Sequence, residues 1–247
     1  MEHTTKFLKN GLAKMFWNSF NIEPDKMEPY MDIAQTSLQP LLEGLVVFTL
    51  PLSIIAFILG LILAVFTALA RISTVKIFQW IARFYVSIIR GTPLLVQLFI
   101  LFYGLPTLGI VIDPFPAAVI GFSLNVGAYA SEIIRAAILS IPKGQWEAAQ
   151  MIGMTNSQSL QRVILPQATR VSIPPLSNSF IGLVKDTSLA SLILVTEMFR
   201  RAQEIAATNY EFLLLYVEAA AIYWIICFFL SIIQGRLEHR FDRYVTR

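Results

Sequence analysis

The chain has little of what an enzyme or a metal protein needs. Among its 247 residues there is 1 cysteine, Cys227, so neither an intrachain disulfide nor a cysteine-based metal site can form. The 2 histidines, His3 and His239, lie near the two ends, which excludes a histidine-rich metal site; no metal ligands are expected. No phosphate-binding stretch of the form GxxxxGK[ST] occurs, and no Gly-rich dinucleotide fingerprint or Ser-His-Asp set is present. No catalytic residues and no cofactor bound by this chain are therefore expected. Charge is scarce as well, at 14%, where a soluble domain carries roughly 25%. The net charge of +3 is spread along the chain, without the basic stripe that nucleic acid requires.

Apolar residues fill the gap, at 56% of the chain. A bilayer core needs about 20 consecutive apolar residues as helix. Every residue from 44 to 70 is uncharged, long enough to cross with some tilt. Pro51 near its start can be tolerated where neighbours satisfy the freed backbone groups. A second run goes from Phe84 to about Leu108, with Arg90 early in it, and a third from Asp113-Pro114 to about Ile141. A fourth covers about Val171 to Val195, and a fifth Phe212 to Ile233. The expected fold is all-α: a polytopic membrane bundle of about five transmembrane helices. Residues 1–42 read as an N-terminal tail, 43–237 as the membrane domain, and 238–247 as a C-terminal tail. In the tail, Phe7, Leu8, Leu12, Met15 and Phe16 can share a helix face opposite lysines, as in a helix lying on the membrane; a poorly ordered tail is the alternative. Lys9 and Lys14 break the apolar stretch that a secretory signal would need.

Lys and Arg in short loops set orientation. Arg71, Lys76 and Arg83 follow run one; Lys143, Arg162 and Arg170 lie between runs three and four; Arg236, Arg240, Arg243 and Arg247 end the chain. If the runs alternate, these regions share one side. The long loop and the C-terminus are then cytoplasmic and the N-terminus outside, although Lys6, Lys9, Lys14 and Lys26 count against an external tail.

The loop at about 140–170 carries the clearest pattern. Pro142 suits a first helical turn, Gln145–Ile152 are good helix formers, and Gly153 is placed to end that helix with positive φ. Thr155 and Gln158 have the spacing of a capping box for a second helix, and Pro166 is expected to end it. Two short helices with a glycine joint fit a groove on a partner. Ala148 and Ala149 permit close approach, and Glu147 offers a carboxylate.

Glu147-Ala148-Ala149, then Gly153, then Val163-Ile164-Leu165-Pro166 resembles the EAA signature of ATP-binding-cassette importer permeases, with valine where isoleucine is usual. Arg90-Gly91-Thr92-Pro93-Leu94-Leu95-Val96-Gln97-Leu98-Phe99, Gly127-Ala128-Tyr129, Ile141–Ala149 and Lys185-Asp186-Thr187-Ser188-Leu189 are similar to the polar amino-acid branch of that family. The wording of runs three to five is similar to L-cystine importer permeases of Gram-positive bacteria. The resemblance runs from about Leu42 to the C-terminus. It implies a permease in a bacterial cell membrane, with Gly144, Glu147, Ala148, Ala149, Gly153, Leu165 and Pro166 coupling it to an ATPase. It further implies two ATPase copies that carry ATP-Mg, a second permease copy (a homodimer is expected, a heterodimer stays open) and an extracellular amino-acid-binding protein, all in membrane lipid.

Charges at membrane depth cost roughly 2.5–3.5 kcal/mol each on insertion scales and should face a bundle interior or a wet cavity. Glu132 and Arg135, three apart, can pair on one helix face. Adjacent Lys185 and Asp186 must point to different sides. Gln97, Asn125, Tyr129, Glu132, Asp186, Thr187 and Glu218 are the candidates for a substrate path; for Glu132 a structural ion pair is the competing reading. An ion-coupled secondary transporter and a non-transporting scaffold are the other classes. The first usually shows inverted repeats, and five spans do not divide into equal halves.

Overall fold

The computed structural model describes residues 27–242. Helix α1 (Met27–Gly44) runs through a π turn (Leu45–Thr49) into α2 (Leu50–Ile72). The helix therefore crosses the expected tail boundary at 42/43 without a break, and Phe7–Phe16 lie outside the described residues. Helix α3 (Lys76–Gly91) precedes α4 (Leu94–Phe99), which continues through a π turn (Ile100–Gly104) and a 3₁₀ turn (Leu105–Leu108). Then come α5 (Pro114–Ser140), α6 (Lys143–Met151) and α7 (Asn156–Ser159). A π turn (Leu160–Ile164) leads into α8 (Leu165–Asp186), a 3₁₀ turn (Thr187–Ile193), α9 (Met198–Asn209) and α10 (Phe212–Asp242).

Among the described residues, three helices are long and apolar enough to cross a membrane: Tyr30–Ile72, Pro114–Ser140 and Phe212–His239. Two bent pairs bring the total to five if each is one span. The second expected run is one of these pairs, bent by 103° between α3 and α4 rather than straight. The cause is local. Thr92 precedes Pro93 and is held extended at φ −123, ψ 147, as a residue before proline must be. The carbonyls orphaned at the end of α3 are then capped by side chains. Thr92 Oγ1 donates to Ile88 O at 2.9 Å, and Gln97 Nε2 donates to Ile89 O at 2.8 Å.

Helices α2 and α5 form the centre of the bundle. Ala56, Gly60, Ala64 and Ala68 recur every fourth residue on α2, and Ala118, Phe122, Val126 and Ala130 do so on α5; all are buried. Lipid supplies no hydrophobic drive for helices to associate, so small residues that let backbones approach provide the packing. A Cβ on Gly60 would lie 2.6 Å from Val126 Cβ and 3.1 Å from Ser123 O. Gly60→Ala should therefore cost about 1–3 kcal/mol, the range for overpacking, and lower the thermal midpoint of the detergent-solubilised protein. An unchanged midpoint would show that the two helices can part freely.

A second buried cluster joins Leu41 and Leu45 to Met198, Ala202 and Ala206 of α9 and to Leu215, Ala219 and Ile222 of α10. A third holds the loop side together: Ile138 and Ile141 at the end of α5 meet Ile164 and Ala168, with Trp146 packed against them.

Each of the three π turns among the described residues is followed by Leu-Pro: Leu50-Pro51, Leu105-Pro106 and Leu165-Pro166. Proline lacks the amide for an i−4 bond, and its ring crowds the i−4 carbonyl. The π turn absorbs this because the leucine amide reaches back five residues, Leu50 to Leu45 and Leu165 to Leu160. The expectation that Pro166 ends the second loop helix is corrected on this ground. The helix continues from Asn156 to Ile193.

Candidate functional site

A cavity of about 690 Å³ opens between the α3–α4 bend, α5 and α8. Asn125, Tyr129 and Glu132 face it from α5; their spacing of four and three puts them on one side of that helix. Asn178, Ser179, Gly182 and Asp186 line it from α8, again on a single face. Arg90, Thr92 and Pro93 close the third wall. Asp186 is exposed to this space, while its neighbour Lys185 lines a separate groove with Tyr216, Tyr223, Trp224 and Cys227. The adjacent pair thus divides between two sides, as adjacent helical residues do.

One end of the cavity carries concentrated charge. Arg135 Nη2 lies 3.0 Å and Arg135 Nε 3.2 Å from Glu132 Oε2. Arg71, at the end of α2, meets Glu132 Oε1, and Arg90 Nη1 stands 3.7 Å from the same oxygen. The Arg90 guanidinium also lies over the Tyr129 ring, 5.2 Å from its centroid. One carboxylate thus ties the ends of α2, α3 and α5 together.

The loop hairpin projects from the same end of the bundle. Helix α6 ends at a Schellman motif: Gly153 N donates to Gln150 O at 2.9 Å, Met154 N to Ala149 O at 3.1 Å, and Gly153 has φ +82. Thr155 and Gln158 form the reciprocal capping box that starts α7, at 2.9 and 3.3 Å. Pro142 sits one residue before the first turn of α6 rather than in it. Ala149 is buried against the hairpin's own core, whereas Gly144, Glu147 and Ala148 face outward. Leu165 is half-buried and Pro166 exposed. Met151 at 87% and Ile152 at 73% exposure form an apolar tip on the hairpin.

The structure brings together four of the seven expected path residues: Asn125, Tyr129, Glu132 and Asp186. The other three lie elsewhere. Gln97 supports the α3–α4 bend through its amide nitrogen. Thr187 is buried and donates to Val184 O at 2.6 Å. Glu218 accepts from Ser37 Oγ of α1 at 2.6 Å and does not line the cavity. Ser179, Gly182 and Arg90 join the wall. A polar and small-residue stripe on α8 at helical period was the sequence signal for the first two.

Over residues 56–243 the chain matches the family described as binding-protein-dependent transport system inner membrane component. The chain belongs to this family. The L-cystine transport system permease protein TcyB of Bacillus subtilis (strain 168) is 64% identical over 217 residues, covering 87% of this chain and 93% of that protein. A solved structure titled as an amino acid ABC transporter with histidines superposes with a TM-score of 0.79 at 34% identity, over 89% of this chain and 99% of that one. The MetNI methionine ABC transporter in an inward-facing form shares the fold at 19% identity, with a TM-score of 0.65 over 89% and 99% of the two chains. The chain is accordingly a permease subunit of an ABC importer, a multi-pass protein of the plasma membrane, and not an enzyme. Such a permease works with an ATPase, a substrate-binding protein and a paired permease.

Proposed function

We propose that this permease imports L-cystine, as a homodimer coupled to two ATPase subunits that carry the ATP-Mg. The observation that carries the reading is the open cavity between the α3–α4 bend, α5 and α8. It presents a carboxylate, Asp186, a guanidinium, Arg90, and the amides of Asn125 and Asn178. A zwitterion with two carboxylates and two ammonium groups needs both signs of charge plus neutral donors, whereas a sugar needs neither sign. The likeness to an L-cystine permease supports the same ligand.

The hairpin from Pro142 to Pro166 is the proposed docking lever. Its outward residues Gly144, Glu147 and Ala148 and the tip Met151–Ile152 seat on the ATPase, Ala149 is buried within the hairpin, and Trp146 and Leu165 join the cluster that ties the seat to α5 and α8. Closure of the ATPase pair on ATP moves the hairpin, and the bundles switch between outward-open and inward-open states. ATP drives that switch only by binding one state better than the other. The excess of Lys and Arg around the hairpin and the C-terminus supports a cytoplasmic placement for both, with the N-terminus outside.

The test is uptake into proteoliposomes holding the permease, its ATPase and its binding protein, over a panel of labelled amino acids. ATP-dependent accumulation of L-cystine is expected, with arginine and glutamine taken up at least tenfold more slowly, a difference of about 1.4 kcal/mol. Faster uptake of another amino acid would reject cystine as substrate. Uptake driven by an ion gradient without ATP would reject the coupling.

A further inference from the structure

We propose that Arg90 is the residue that reads the substrate's carboxylate, in competition with Glu132. The inference rests on the reading of the chain as an amino-acid importer and deepens it by naming a specificity residue.

Three arginines surround one acid. With Glu132 ionised, Arg71, Arg90 and Arg135 leave two positive charges without a carboxylate of their own. Glu132 is already engaged: Oε2 receives two bonds from Arg135, and Oε1 meets Arg71. Arg90 is the most loosely held of the three. Its Nη1 stands 3.7 Å from Oε1, beyond hydrogen-bond distance, and its side chain is 43% exposed. Its other contact is the face of Tyr129, which leaves edge donors of the guanidinium available. A planar guanidinium matches a carboxylate in two parallel bonds, and a lysine cannot. A cleft lined by an excess of one sign of charge raises the local concentration of the opposite sign, so an incoming carboxylate gains from meeting this guanidinium.

Position gives the interaction a direction. Arg90 stands at the α3–α4 bend, where Gly91 and the extended Thr92 open the backbone. Asp186 reaches the same cavity from α8, and among the described residues no arginine or lysine forms a direct ion pair with it. A dipolar ligand is thereby oriented, with carboxylate toward α3 and α5 and ammonium toward α8. The carboxylate also competes with Glu132 for Arg90, so its arrival loosens one of the two contacts, from Arg71 and from Arg90, that join α2 and α3 to α5 at this end.

The experiment measures KM for L-cystine uptake in the reconstituted importer for wild type, Arg90→Gln, Arg90→Lys and Lys76→Gln. The last removes a cation from the exposed start of α3, away from the cavity. Alongside, displacement of labelled L-cystine from the detergent-solubilised permease–ATPase complex is measured with 3,3′-dithiodipropionate, which keeps only the carboxylates, and with cystamine, which keeps only the amines. Arg90→Gln should raise KM at least tenfold, about 1.4 kcal/mol. It should weaken dithiodipropionate by a similar factor and leave cystamine unchanged. Arg90→Lys should fall between, and Lys76→Gln should match wild type. An unchanged KM in Arg90→Gln, or equal weakening of both analogues, overturns the proposal while leaving cystine import standing. A wild-type importer that takes up no cystine removes the functional reading and this inference together. If Arg90→Gln does not assemble, Arg90→Lys decides: a raised KM supports the proposal and an unchanged one overturns it.

Discussion

Gly153→Val should silence uptake while leaving the permease in the membrane and bound to its ATPase. The residue sits at φ +82, in the left-handed region, and closes α6 through the Schellman bonds. Nothing lies within 4 Å of a Cβ built there, so the substitution fails on backbone conformation and not on space. The left-handed region costs an ordinary L-residue roughly 1–2 kcal/mol, and a β-branched one is a real outlier there. One or two kcal/mol corresponds to a factor of roughly 5–30 in a two-state ratio. That suffices to turn α6 relative to α7 and misdirect Glu147 and Met151. Gly153→Asn is the control, because asparagine tolerates this region; it should retain most of the uptake. Labelled-substrate uptake and co-purification with the ATPase check both variants. Normal uptake in Gly153→Val would argue strongly against the hairpin as the coupling element.

Glu197→Ala should be the most destabilising single change in the described chain. The residue has 0% exposure. Its carboxylate caps the start of α9, accepting from Phe199 N at 2.9 Å and Arg200 N at 2.7 Å, and it receives the Tyr223 hydroxyl at 3.0 Å. The next amide, Met198 N, is taken by Thr49 Oγ1 at 3.2 Å. With the Thr49 hydroxyl, five amide and hydroxyl groups from the first π turn, α9 and α10 thus converge on one junction. Truncation strands three half-buried donors at about 1 kcal/mol or more each, beyond the roughly 1 kcal/mol of an ordinary exposed cap. The thermal midpoint of the solubilised protein should fall by many degrees. Glu197→Gln, which keeps one acceptor oxygen, should lie between, and Tyr223→Phe should cost least. A midpoint unchanged in Glu197→Ala would mean that α9 is held by the apolar contacts of Met198 and Ala202 alone.

Much of the architecture could be read from residue patterns, because membrane spans and caps are local signals. The uncharged stretch from 44 to 70, the left-handed Gly153, the Thr155–Gln158 box and the Glu132–Arg135 pair all depend on residues a few positions apart. What escaped was tertiary or cooperative. Arg71 reads as a loop charge until α2 is laid against α5 and its guanidinium meets Glu132. Glu197 is not among the residue types favoured as an N-cap, and Thr49 and Tyr223, which meet at the same junction, are distant in sequence. Gln97 and Thr187 are polar residues in apolar runs and so read as path-lining. Both spend their donors on nearby backbone carbonyls. The 103° bend had its signals in Gly91 and in Thr92 before Pro93, but the apolar run continued through them. Pro166 was misread because proline usually stops a helix; the π turn before it lets the backbone carry on.

The Leu-Pro steps bear on how force would pass through the molecule. Beneath Pro51, Pro106 and Pro166 the rod already lacks a rung, so flexing there sacrifices less bonding than it would elsewhere. Stiff segments alternate with compliant collars whose positions are written into the covalent chain. A push on the hairpin would be taken up first at the collar before Pro166, directly between the exposed Met151–Ile152 tip and the wall that carries Asp186.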